Sequence, residues 1–158
     1  MTARRPRGFT LLELLVTLAL LSLFATLALP LAELSVKRTQ EAELRAALRT
    51  VREALDAYKQ AVDDGRIAVR PGDSGYPKNL DVLVEGVEDL QSPERRLLHF
   101  LRRIPRDPFA SPTLKPESGW GKRSYKSAYD RPRPGDDVYD VYSLSTEAGI
   151  NGVPYSEW

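Results

Sequence analysis

From Phe9 to Ala32 the chain carries a single charge, Glu13, and this run decides most of what the chain can become. As an α-helix rising ~1.5 Å per residue it spans roughly 36 Å, enough to cross a hydrocarbon layer ~30 Å thick. Arg4, Arg5 and Arg7 stand in front of it. By the positive-inside rule they place that end in the cytoplasm and the rest of the chain outside. A carboxylate near one end of a membrane segment is expensive, so Glu13 calls for a partner and a task. An ordinary secretory signal has a similar build, with Thr26-Leu27-Ala28 as a weak cleavage site. It would leave Pro30 just behind the cut and Glu13 without a role.

The 158 residues are one domain by size. Without the apolar run about 125 remain, enough for a modest core. The three leading arginines exceed the whole net charge of +1, so the remainder is slightly acidic and not built to bind nucleic acid. There is no cysteine, which excludes disulfides and thiolate metal sites. His99 is the lone histidine, and no G-x-S-x-G or glycine-rich phosphate loop accompanies it. The chain is not expected to be an enzyme.

Past Pro30 the helix pattern continues but becomes amphipathic. Leu44, Leu48, Val51, Leu55, Tyr58 and Val62 recur at steps of four and three, one apolar stripe beside Arg45, Arg49, Arg52, Glu53, Asp56 and Lys59. Asp63-Asp64-Gly65 ends it. Pro30 removes a helical hydrogen bond at ~3 kcal/mol. It is either a kink at the membrane surface or a weak point where the helix bends during assembly. Thr10-Leu11-Leu12-Glu13 fits the S/T-x-x-E capping box, so Glu13 has a local reading as well.

Beyond Gly65 the expectations are short elements. A loop over 65–75 leads to a short helix over 76–84 with Pro77 in its first turn. Ser92-Pro93-Glu94 reads as a second helix start, with Leu97, Leu101 and Ile104 as its apolar side. Arg95, Arg96, Arg102, Arg103 and Arg106 make that segment basic, a solvated face balanced by Glu85, Glu88, Asp89 and Glu94. Segments 124–129 and 138–144, rich in tyrosine and valine, predict an antiparallel hairpin turned by Pro132, Pro134 and Gly135. The tail from Ser145 to Trp158 is expected to wrap back on it.

Gly8-Phe9-Thr10-Leu11-Leu12-Glu13 closely resembles the start of type IV pilins and type II secretion pseudopilins, and a proline at position 30 belongs to the same likeness. In the head, Arg103-Ile104-Pro105-Arg106-Asp107-Pro108-Phe109 resembles the L-P-x-D-P-W/F segment of major, G-type pseudopilins. So do Gly119-Trp120-Gly121 with Tyr125, and Asp140-Val141-Tyr142-Ser143-Leu144. The resemblance implies cleavage between Gly8 and Phe9 by a prepilin peptidase and N-methylation of Phe9. It implies that Glu13 sets assembly register by pairing with the Phe9 amino group, in cis or on a neighbouring subunit.

It further implies an α+β, pilin-like fold: a leader (1–8), a transmembrane or filament-core helix (9–32), its amphipathic continuation (33–64) and a periplasmic head (65–158). The expected function is a structural subunit of a type II secretion pseudopilus, stored in the inner membrane as a single-pass protein and polymerised to export folded proteins. Its partners would be identical subunits and other pseudopilins in a helical filament, the inner-membrane secretion platform and the lipid bilayer. A type IV pilus or DNA-uptake pilus subunit, or a soluble exported domain behind an ordinary signal, are the alternatives. Relatives of this kind hold a calcium ion in the loop after the second strand. Here the tail has no aspartate, with Glu147 and the Leu144 carbonyl as remnants of a ligand set. No cofactor and no metal are expected, and Val153, Pro154, Tyr155 and Trp158 should fasten the loop by packing.

Overall fold

The computed structural model describes residues 9–158, and of 27–29 the backbone alone. The expected leader, with Gly8, lies outside the described residues. A single helix, α1 (Leu11–Asp63, 53 residues), carries the chain through Pro30 without interruption. The described residues divide into two compact units between Thr39 and Gln40.

In the first unit the helix is apolar on all sides from Leu14 to Ala32, and Leu11, Leu12, Leu21 and Phe24 are exposed. Its hydroxyls turn inward on the helix backbone. Thr17 Oγ1 donates to the Leu14 carbonyl at 2.9 Å, Ser22 Oγ to Ala19 at 2.9 Å and Thr26 Oγ1 to Leu23 at 2.7 Å. Each of these three hydroxyls is thereby satisfied within the helix, as a helix in hydrocarbon requires.

In the second unit α1 becomes the spine of a core. Leu44, Leu48, Val51 and Leu55 are buried against Leu80, Leu83, Leu101, Trp120, Val138, Val141 and Tyr155, the stripe read from the sequence. The helix ends where Gly65 takes φ +72°, a left-handed conformation that glycine reaches without strain. Just after it, Arg66 Nη2 donates to Asp89 Oδ2 at 2.6 Å, tying the helix exit to the middle of the head. The Arg66 guanidinium holds the Asp89 carboxyl below its ordinary range.

The short elements differ from expectation. The helix expected over 76–84 is α2 (Asp81–Glu85), and it starts four residues past Pro77. The Asn79 side chain accepts the Val82 N–H at 3.1 Å and occupies the place of a first turn. No helix follows Ser92-Pro93. Instead β1 (Val87–Glu88) pairs antiparallel with β2 (Leu97–Leu98), and the 92–96 stretch is the turn between them. The Leu83 carbonyl accepts both the Phe100 and the Leu101 N–H at 2.9 Å, which holds the following chain extended. These bonds and the burial of Leu101 outweigh a local helix signal.

The main hairpin is present but displaced toward the N-terminus. β3 (Trp120–Arg123) pairs antiparallel with β4 (Asp140–Ser143), Trp120 facing Ser143 and Arg123 facing Asp140. A 3₁₀ turn (Pro116–Gly119) delivers the chain into β3. The 124–129 segment is not a strand: the Ser127 N–H bonds back to Ser124 at 3.0 Å, and Tyr125 packs on Tyr76 and Tyr139. The result is the α+β arrangement of one long helix with small antiparallel ribbons.

Candidate functional site

Two places carry the chemistry: the start of α1 and the loop that follows β4. At the start of α1, Phe9 is 80 % exposed. Thr10 caps the helix, its Oγ1 accepting the Glu13 N–H at 3.2 Å. The donor is the Glu13 backbone, so the cap does not need the Glu13 side chain. Among the described residues the Glu13 carboxylate has no hydrogen-bond or ion-pair partner. Half of the capping box is therefore formed, and it is formed without the Glu13 carboxylate. The helix is long and apolar enough to cross a membrane, and none of its apolar window is buried.

Pro30 lies inside α1, where it withholds the N–H that the Thr26 carbonyl would accept. The helix nonetheless continues on both sides.

The second place is built from three parts of the second unit. Asp107, in the Arg103–Phe109 motif, is 4 % exposed and accepts from Phe109 N–H at 2.8 Å and from Ser143 Oγ at 2.6 Å. Phe109 stacks on Tyr155, ring centroids 4.1 Å apart, and Tyr155 meets the edge of Trp158 at 5.0 Å. Tyr155 begins a 3₁₀ turn (Tyr155–Glu157) and is wholly buried. The loop between β4 and this turn closes on itself, the Gly149 N–H bonding to Val153 O at 2.8 Å and the Tyr155 N–H to Glu147 O at 3.1 Å.

The third part comes from α1. Glu41, 4 % exposed, accepts the Ile150 N–H at 2.6 Å and the Tyr155 hydroxyl at 3.2 Å through Oε1. Its Oε2 lies 3.6 Å from Arg45, whose guanidinium stands 4.2 Å over the Trp158 ring. Burial, with Glu41 at the hydroxyl, pushes Tyr155 up to about 12. Three turns along, Arg52 donates to Asp140 at 2.8 Å, to Val141 O at 3.2 Å and to Trp158 O at 2.7 Å. Val153, expected to help fasten the tail, is instead exposed, whereas Tyr155 is buried in the core with Trp158 packed against it, so packing and these polar contacts fasten the tail together.

Glu41 and Arg52 were not singled out in the sequence. The signal for Glu41 was available: it lies three residues before Leu44, in phase with the buried stripe rather than with the charged face. Arg52 has no such signal, because its partners are more than eighty residues away.

The other polar features are structural. His99 Nδ1 lies 2.9 Å from Val84 O, and its ring packs where a side chain at Gly86 would stand. Arg95 and Arg96 pair with Glu88 and Glu94. Among the described residues no group of three or more His, Cys, Asp or Glu is placed to hold a metal ion.

The family model described as the prokaryotic N-terminal methylation motif matches residues 3–29. The chain is 30 % identical over 118 residues to the type II secretion system core protein G of Aeromonas hydrophila, covering 71 % of this chain and 73 % of that protein. No solved structure matches the chain.

Proposed function

The chain belongs to the type IV pilin superfamily, among the pseudopilins of type II secretion that are similar to core protein G, and from this we propose that it is a shaft subunit of a periplasmic pseudopilus. It is a structural protein, anchored in the inner membrane, and not an enzyme. In the proposed sequence of events a prepilin peptidase cuts between Gly8 and Phe9 and Phe9 is N-methylated. Residues 9–32 then hold the subunit in the bilayer with its head, 65–158, in the periplasm.

The carrying observation is an all-round apolar helix with one carboxylate near its start and no partner for that carboxylate within the described chain. A bilayer satisfies the apolar surface but not Glu13. A filament of identical helices satisfies both, because lateral packing buries the leucines and the amino group of Phe9 on a neighbour supplies the counter-charge. An ion pair in so dry a place is strongly disfavoured when broken, which makes it a register device more than a source of stability. Polymerisation at the secretion platform, with other pseudopilins, then lengthens the filament and moves folded exoproteins outward.

The test is deletion of the gene in the native host and complementation with the parent chain. Exoproteins accumulating in the periplasm, and released again on complementation, support the reading. Intact secretion with lost twitching or lost DNA uptake would move the chain to a pilus of the same superfamily.

A further inference from the structure

The loop from Leu144 to Trp158 occupies the place where G-type relatives hold calcium, and here its groups do not fit that ion. Calcium takes ~6–8 oxygen ligands, several of them carboxylates. The only acids in this loop are Glu147 and Glu157, both exposed. Several oxygens in and beside it are already engaged. Ser143 Oγ donates to Asp107, Asn151 Oδ1 accepts the Val153 N–H at 3.1 Å, and Gly149 O accepts the Gly152 N–H at 2.9 Å. The interior of the loop is filled as well, since a Cβ added at Gly149 would stand 2.6 Å from the Trp158 ring and 2.7 Å from Asn151.

We propose that the carboxylate of Glu41 takes over the fastening task from the helix side, so that this head closes its C-terminal loop with a built-in anion and no metal ion. The chemistry is inverted relative to a cation site. A calcium ion gathers loop carbonyls and carboxylates around a positive centre. Glu41 gathers loop donors, the Ile150 N–H and the Tyr155 hydroxyl, around a negative one. Charge-assisted bonds of this kind are roughly twice as strong as neutral ones, and both donors would lose that charged acceptor without Glu41. Arg45 completes the arrangement, adjoining the second oxygen of Glu41 while its guanidinium covers Trp158. Arg52 holds the far end of the same segment through Trp158 O. Glu41 and Arg52 thus close a loop whose other wall is the Asp107–Phe109 motif.

The test uses the full-length chain in a non-ionic detergent, with millimolar calcium or with EDTA. Unfolding is followed by tryptophan fluorescence, and hydrogen exchange is measured on peptides from 147–158. The parent should unfold at the same temperature in both conditions, within about 1 °C, and protect 147–158 equally. Glu41→Ala should lower the midpoint by about 5 °C or more, the scale of about 1–2 kcal/mol in a domain of this size. It should deprotect 147–158, and calcium should not restore either property. Glu43→Ala, which removes an exposed carboxylate two residues away, should behave as the parent. If Glu41→Ala does not fold, Tyr155→Phe decides: it keeps the ring on Phe109, loses only the hydroxyl, and should speed exchange in 147–158. A calcium-dependent rise of several degrees in the parent would overturn the proposal. So would parent-like protection of 147–158 in Glu41→Ala or, in its place, in Tyr155→Phe.

Discussion

Ser143 Oγ, fully buried on β4, donates to Asp107 Oδ2 at 2.6 Å across a separation of 36 residues. The same carboxylate accepts the Phe109 N–H, so one side chain fixes both the hairpin edge and the ring that stacks on Tyr155. Asp107→Ala should therefore cost about 2–3 kcal/mol, the range for a buried charged acceptor whose donors are left unpaired. Ser143→Ala, which removes that donor and the acceptor of the Ser145 N–H but leaves the Asp107–Phe109 bond in place, should cost less. Denaturant unfolding followed by the fluorescence of Trp120 and Trp158 checks the ranking; equal effects, or none for Asp107→Ala, would contradict it.

The β3–β4 ribbon has a second sensitive pair. Gly121 faces Tyr142, whose ring lies over the glycine where a Cβ would stand. Gly121→Ala must push the ring off the ribbon, and overpacking of this kind costs about 1–3 kcal/mol. The same unfolding measurement should show the loss. Gly152→Ala, where nothing surrounds the missing Cβ but φ is +80°, should lose less, by backbone strain alone.

Tyr155 gives the head an alkaline limit. Burial and then Glu41 raise its ionisation to about 12, above the ordinary tyrosine value near 10. The folded state thus favours the neutral phenol. That contribution is fully present below about pH 10 and is lost as pH rises from there toward 12. Absorbance at 295 nm should show a late tyrosinate component near pH 12. Tyr155→Phe should remove it, and its persistence in that variant would assign the component elsewhere.

At the other end of the chain, Glu13→Gln separates capping from charge pairing. Thr10 caps through the Glu13 backbone N–H, which the substitution leaves in place. Helix formation, cleavage and membrane insertion should therefore be unchanged. Assembly should fail, because glutamine offers no charge to a neighbour's ammonium. Filament yield in a strain overproducing the variant tests this, and parent-like filaments would leave local capping as the whole role of Glu13.

Much of this was legible in the sequence where one force dominated. The apolar run and the stripe Leu44, Leu48, Val51, Leu55 follow from periodicity over many turns, and the stop at Gly65 from a residue that tolerates φ > 0. The head was harder because its elements are two to five residues long. Ser92-Pro93-Glu94 is a sound local helix start, but Val87–Glu88 captured the following leucines as a strand partner. The tyrosines of 124–129 suggested a strand, yet Tyr125 is used for ring contacts with Tyr76 and Tyr139 while Trp120–Arg123 forms the ladder. At the site, Glu13 stood out as a lone charge among leucines. Glu41 was masked by the many charges around it, although its phase with Leu44 placed it on the buried side.

Processing at Gly8 decides among the readings of the whole chain, because only a pilin-type leader leaves the apolar helix on the mature protein. Intact mass and N-terminal sequencing of the protein isolated from native membranes measure it. The expected product begins at an N-methylated Phe9 and stays in the membrane fraction. A mature chain beginning beyond Ala25, or one released into solution, would contradict membrane storage, the role of Glu13 and the pseudopilus together.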